Sequence, residues 1–272
     1  MHSSSEAAPA ASIIIATTGN PALEGIVSIL LAAAAEVEVL VIIDNPQLAA
    51  EAALPSLHGD KRVRVTVNET NLGLTRSLNR ALLQARGTII LRNDDDDEPS
   101  PERVDRLIAH FANNPDCDLV FSYAHGIDES SGRTWLIDAP TTDAAIKAKL
   151  AQRNFVVHSS LAFRRDRVIA LGGYDPTFRY AQDYDLYLRA IRAGYVFGCV
   201  AAPLISRSYH PQSITVSRRR RQMLFSFAAR LIHDAERREG EPRPWRTILA
   251  YLTLLLIPDW LRVLRRRIGR GA

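Results

Sequence analysis

Four consecutive carboxylates, Asp94, Asp95, Asp96 and Asp97, stand where an apolar run, Ile89-Ile90-Leu91, gives out. Crowded like charges repel, and near a sheet end they persist only when solvated or bound to a cation. In an extended segment alternate side chains share a face, so Asp94 and Asp96 point together. Such a pair suits Mg2+ or Mn2+, hard cations that keep positions open for water and substrate phosphates. The alternative is a solvated acidic turn ahead of the helix after Pro101. The place of the cluster at a strand's carboxyl end, where ligands of open α/β sheets collect, favours the metal. Thr17 and Asp44 end apolar runs in the same way, with a helix cap and a turn aspartate as their plain structural alternatives. Arg76 carries a planar guanidinium suited to oxyanions, and a solvated helix residue is its equal alternative. Asp183 opens a helix, a place where an aspartate is ordinarily a cap worth about 1 kcal/mol. Asp185, two positions on, faces away and reads as structural.

These residues hang on a regular frame. Ser12–Ala16, Val37–Ile43, Val63–Val67 and Thr88–Leu91 are short apolar strand patterns. Between them lie Ala22–Ala35, of helical length, and a helix carrying Leu74, Leu78, Leu82 and Ala85 that Gly87 ends. Strand alternating with helix means βαβ units and a mostly parallel sheet. Beyond Pro101 come a helix with Val104, Leu107 and Phe111, a strand Asp118–Tyr123, and a less regular stretch over 124–154. Val156–Phe163 is strand-like and Asp183–Ala193 helical.

The chain has 272 residues, 47% hydrophobic and 24% charged, enough for a sizeable core. Its net charge of +4 is unevenly spread: Arg218–Ala272 holds 14 basic and 5 acidic residues, leaving the rest at −5. An acidic body speaks against a nucleic-acid groove and for one that holds a cation. Cys117 and Cys199 match no metal or redox spacing, which suggests a reducing compartment or two core thiols. The first twelve residues do not read as a secretory signal. Neither a G-x-S-x-G elbow nor a G-x-x-x-x-G-K-[ST] loop occurs, so covalent serine chemistry and P-loop phosphoryl transfer find no support.

Asn71-Leu72-Gly73-Leu74-Thr75-Arg76-Ser77-Leu78-Asn79, then Ala85-Arg86-Gly87, then Leu91–Asp97 resembles family 2 glycosyltransferases. A second block is similar to that family's acceptor-side segment. It runs from His158 through Arg165, Leu171-Gly172-Gly173-Tyr174-Asp175 and Ala181–Arg189. The resemblance spans about residues 12 to 215. It implies a GT-A fold: α/β, Rossmann-like, with a mostly parallel central sheet and a C-terminal helical extension. It implies an enzyme that moves a sugar from a nucleotide-sugar donor, a UDP- or dTDP-sugar, to an acceptor hydroxyl with inversion. Competing expectations are a non-catalytic sugar-nucleotide-binding protein of the same fold and a metal-dependent nucleotidyltransferase. The latter ordinarily shows a Gly-rich basic loop that Thr17-Thr18-Gly19-Asn20 lacks.

The resemblance also implies roles. Asp183 is the catalytic base, although Gln182 replaces a frequent neighbouring glutamate. Asp94 and Asp96 hold Mn2+ or Mg2+, with Asp96 the direct ligand and His210 completing the metal or diphosphate site. Thr17, Asp44, Asn71, Arg76, Asp94 and Asp95 meet the donor. His158, Gly173 and Tyr174 belong to the acceptor side. The expected organisation is a flexible terminus (1–11), a nucleotide-sugar half (12–97), an acceptor half of the same domain (98–216), and a basic, apolar extension (217–272). In that extension Thr247–Pro258 is apolar, too short to span a bilayer, and flanked by Trp245, Trp260 and arginines. It suits an anionic membrane surface, with a packed hairpin or a homodimer contact as alternatives. The expected setting is cytoplasmic, at the inner face of the membrane, with a carbohydrate or lipid-linked acceptor from cell-surface polysaccharide, lipopolysaccharide or glycolipid synthesis.

Overall fold

The computed structural model describes residues 8–57, 59–209 and 219–235. β1 (Ala11–Thr17), β2 (Val37–Ile43), β3 (Val63–Val67) and β4 (Ile89–Arg92) are joined by α1 (Leu23–Leu31), a short α2 (Ala50–Ala53) and α3 (Leu74–Gln84). All three pairings among these strands are parallel. Along β1 and β2 successive side chains enter opposite apolar layers. Ile14, Leu40 and Ile42 meet α3, and Ile13, Ile15, Val39 and Val41 meet α1. These strands are buried on both faces, which is why they read as unbroken apolar runs.

The chain then forms β5 (Asp97–Pro99), α4 (Arg103–Asn113), β6 (Leu119–Asp128), β7 (Arg133–Ile137), α5 (Asp143–Leu150), β8 (Ala162–Arg164), α6 (Arg165–Ala170), α7 (Gln182–Arg192), β9 (Phe197–Tyr209) and α8 (Arg219–Ala235). The strand order is β3-β2-β1-β4-β8-β6-β9-β5, with β7 beside β6. The parallel arrangement expected from the sequence holds for the first four strands, and the sheet as a whole is mixed. β8 runs antiparallel to both β4 and β6, and is entered through a 3-10 turn at His158–Ser160.

Several expectations need correction. Val156–Phe163 is not one strand: His158–Ser160 is a 3-10 turn closed by the Ser160 hydroxyl on the Val157 carbonyl. Residues 124–154 are regular, holding the end of β6, β7 and α5. The faces of β7 stay largely exposed, and α5 buries only Ile146 and Leu150, so neither shows an apolar period. α1 stops at Leu31 rather than Ala35. The acidic run is not extended throughout: it bends at Asp95 and Asp96, and only Asp97 enters a strand. No helix among the described residues is long and apolar enough to cross a membrane. Thr247–Pro258, Trp245 and Trp260 lie outside the described residues.

Candidate active site

The bend after β4 is shaped from within. Asn93 is fully buried, and its side-chain amide donates to the carbonyls of Asp94 (2.7 Å) and Asp97 (2.9 Å), folding the acidic residues back over the strand end. One carboxylate oxygen each of Asp94, Asp96 and Asp97 then lies within 4.8 Å of the others. Three hard oxygen donors at that spacing fit a divalent cation of the Mg2+ or Mn2+ type. Asp97 thus joins the pair expected from alternation, through the bend. Asp95 turns the other way and accepts a 2.5 Å hydrogen bond from the Thr17 hydroxyl.

The four carboxyls differ in proton affinity. Burial raises Asp97 to about 7, with the Asp94 charge adding to it, and raises Asp95 to about 6. Asp96 is also raised, by burial and then by Asp94. Asp94 is lowered: its burial is outweighed by the adjoining Arg92 guanidinium. Arg207 on β9 stands in register with Asp97 and faces the same cluster. The Ser159 hydroxyl donates to the Asp97 carboxylate. A cluster so held favours a positive charge at its open side, where Asp96 is exposed.

The loops at the ends of β1 and β2 are built around Thr17 and Asp44. The Thr17 hydroxyl accepts from the backbone amides of Gly19 and Asn20. It therefore organises the turn and does not cap α1, whose cap is Ala22. Asp44 is buried and its carboxylate accepts from the Asn68 amide and from the backbone amides of Leu72 and Gly73 at 2.7–2.8 Å. Asn71 donates to the Asp44 carbonyl. Asp44 thus holds the 71–73 loop with its carboxylate. Gly73 caps α3 with φ +83°, a conformation open to glycine. Arg76 is exposed on the first turn of α3 and has no polar partner among the described residues. Gly87 is needed for space, since a Cβ there would stand 2.7 Å from the backbone of β1.

Gly173 and Tyr174, expected on the acceptor side, meet α3 along one seam. Asn79 of α3 donates to the Tyr174 carbonyl at 2.7 Å and accepts from its amide at 2.9 Å. Gly173 has φ +72°, and a Cβ there would lie 2.6 Å from the Asn79 Oδ1. The Tyr174 hydroxyl meets His158 Nε2 at 3.0 Å. Burial, with Arg92 nearby, keeps His158 well below its usual affinity and hence neutral, while burial pushes Tyr174 up. His158 thus sits inside the wall, paired with Tyr174, rather than starting a strand.

Asp183 lies in the first turn of α7 but does not cap it. The cap is Ala181, whose φ of +58° makes it the one non-glycine residue with positive φ among those described. The Asp183 carboxylate is 8% exposed and accepts from the Asn154 amide at 2.7 Å. Burial raises its proton affinity, opposed by the Asn154 hydrogen bond. Arg92 and Arg207 carry positive charge felt both by this carboxylate and by the acidic cluster. Asp185 pairs with Arg189 at 2.7 Å, the structural role expected of it. His210 lies outside the described residues. Asn154, Ser159, Arg92 and Arg207 are not marked as site residues by the sequence: Arg92 and Ser159 fall within the recognised blocks without a role of their own, and nothing local marks Asn154 or Arg207.

A parallel α/β half ending in a cation-sized acidic corner, joined to a mixed half that supplies a buried carboxylate, defines a nucleotide-diphosphate-type transferase of the GT-A class. The chain belongs to glycosyl transferase family 2, whose sequence profile matches residues 12–172. A glycosyltransferase of Methanocaldococcus jannaschii is 27% identical over 266 residues, covering 93% of this chain and 91% of its own. The amylovoran biosynthesis glycosyltransferase AmsE of Erwinia amylovora is 32% identical over 128 residues, 47% of each chain. The fold is similar to that of Staphylococcus aureus TarS in complex with UDP-GlcNAc (TM-score 0.67, 14% identity, 89% of this chain and 71% of that one). It is also similar to the mannosyltransferase PcManGT of Pyrobaculum calidifontis in complex with GDP-Man and Mn2+ (TM-score 0.62, 18% identity, 97% and 76%).

Proposed function

We propose that this transferase moves a sugar from a UDP- or dTDP-sugar to an acceptor hydroxyl with inversion, using a divalent cation held at the acidic corner. The observation that carries the reading is the pairing of that three-carboxylate corner with the separate, buried Asp183. The donor set fits the ion: three carboxylate oxygens, with Asp96 on the exposed side. Asp96 and Asp97 would hold it, beside Asp94, and His210 remains the expected further ligand. When bound, Mn2+ or Mg2+ would neutralise charge on the leaving diphosphate. Thr17, Asp95, Asn71 and Arg76 line the donor approach, with Asp44 holding the loop that carries Asn71.

Asp183 takes the acceptor's proton as the acceptor oxygen bonds to the anomeric carbon and the bond to the diphosphate breaks. Its burial supports this role, because a raised proton affinity makes a carboxylate a better base near neutral pH. His158, Gly173 and Tyr174 form the wall behind it. The acceptor is a carbohydrate or lipid-linked saccharide of surface polysaccharide, lipopolysaccharide or glycolipid synthesis; the AmsE relative supports this class.

The cytoplasmic membrane face is the proposed setting. α8 supports it by exposing Leu224, Leu231 and Ile232 while Phe225 packs on Phe178 and Tyr180. Nucleotide-sugar hydrolysis and transfer, assayed with and without Mn2+ across several donors, tests the reading. Turnover that ignores both the metal and the loss of Asp183 would overturn it.

A further inference from the structure

Two arginines lie wholly inside the protein beneath the acidic turn, and the chemistry above uses neither. Arg92 is 1% exposed and Arg103 is 0% exposed. The Arg92 guanidinium meets Asp94, while its Nε and Nη1 are buried without a partner among the described residues. Arg103 makes no ion pair among the described residues. Its Nη2 donates to two carbonyls, those of Arg92 at 2.8 Å and Ser159 at 2.6 Å. Buried guanidinium groups with unspent donors are unfavourable unless the charge is needed where it lies.

We propose that Arg92, braced by Arg103, is a positioning residue for the cation site. It draws Asp94 inward and offsets the charge of the turn, leaving Asp96 and Asp97 ready to receive a divalent ion. The inference rests on the cation-dependent reading above and extends it, because both guanidinium groups lie in the protein interior behind the carboxylates.

Arg92 is the last residue of β4, a strand held on one side by β1 and on the other by β8, so its side chain starts from a rigid base. Through Arg103 the same strand end is tied to the carbonyl of Ser159, whose hydroxyl holds Asp97. One buried brace therefore sets both flanks of the cluster: Asp94 through Arg92, and Asp97 through Ser159. Asn93 closes the turn between them. Three carboxylate oxygens within 4.8 Å of one another would otherwise splay. Arg207 adds positive charge from β9 but belongs to the half-buried face of the cluster, not to its foundation.

The test uses the full chain, with MnCl2 and UDP, and dTDP in parallel, titrated by calorimetry and by the Mn2+ resonance signal below each variant's melting temperature. Arg92→Met is expected to weaken Mn2+ binding by about tenfold or more, the range for residues that orient ligands. The metal concentration for half-maximal activity should rise equally, with a much smaller change in kcat at saturating Mn2+. Arg92→Lys should recover part of the affinity, keeping the charge but losing the planar fork.

A purely structural role would lower the melting temperature and leave the folded protein's Mn2+ affinity within about twofold of wild type; that result overturns the proposal. Should Arg92→Met not fold, Arg103→Met is read by the same criterion: a clear loss of Mn2+ affinity supports the brace and an unchanged affinity rejects it. Wild-type protein that binds no Mn2+ with either nucleotide would instead overturn the cation-dependent reading itself.

Discussion

The two halves of this sheet, one built from β1 to β4 and the other from β5 to β9, follow different rules. Among β1 to β4 every pairing is parallel, and β1, β2 and β3 are each followed by a helix. From β5 onward the pairings are mixed, and the contacts that matter join distant segments. Ser159 reaches Asp97 across 62 residues, and Asn154 reaches Asp183 across 29. The first half makes a stiff ledge whose strand ends bring Thr17, Asp44 and the acidic run to one edge. The second half packs against that ledge and carries the buried Asp183, the proposed base. The two halves are tied in register by Asn79 with Tyr174, across 95 residues.

The contrast predicts that damage to the base and damage to the ledge will look different. Asp183→Asn should lower transfer by about 10²–10⁴-fold, the range for a positioned general base, while Mn2+-dependent donor binding is retained. Donor titration beside an initial-rate assay checks both halves of that statement, and lost donor binding would mean the halves are not separable. Asp96→Ala should do the reverse, weakening Mn2+-dependent nucleoside diphosphate binding by about 100-fold or more. Calorimetry with and without Mn2+ reads it.

Proton uptake sharpens the comparison. Because the Asp183 affinity is raised by burial, the acid limb of the rate profile should lie above the ordinary carboxylate range. Asn154→Ala removes a hydrogen bond that favours the ionised form, so the limb should move further up. A limb that stays in place would dissociate Asn154 from the base. Stability carries the same sign. A carboxyl raised in the folded state contributes stability that is present below its unfolded affinity and lost as pH rises through the folded one. Asp183→Asn should therefore melt at or above the wild type at pH 8, with the gap closing towards pH 4.

The smallest effect falls on the seam. Gly173→Ala places a Cβ against Asn79 at positive φ and should cost roughly 2 kcal/mol of stability. Thermal unfolding measures it, and a loss of transfer beyond the loss of folded protein would show that the seam also sets catalytic geometry.

The ledge was largely legible from residue order. β2 and β3 fall on the expected residues, and the acidic run was placed at the right strand end, because parallel buried strands and their helices declare themselves by local apolar runs and periods. β7, α5 and the turn at His158 are not legible, since β7 stays largely exposed, α5 buries only Ile146 and Leu150, and the buried turn interrupts an apolar stretch without any local signal. Among the site residues, the carboxylates were visible as types, but the bend that gathers Asp97 with Asp94 and Asp96 is made by the buried Asn93.

Residue order alone settled the fold class, the family and the candidate acidic groups, because each of these is written in neighbouring residues. Only the tertiary structure decided which carboxylates converge, which hold loops, and which stand apart in the protein interior. Proton affinity and cation geometry are set by what surrounds a group in space, and here those surroundings come from segments tens of residues away.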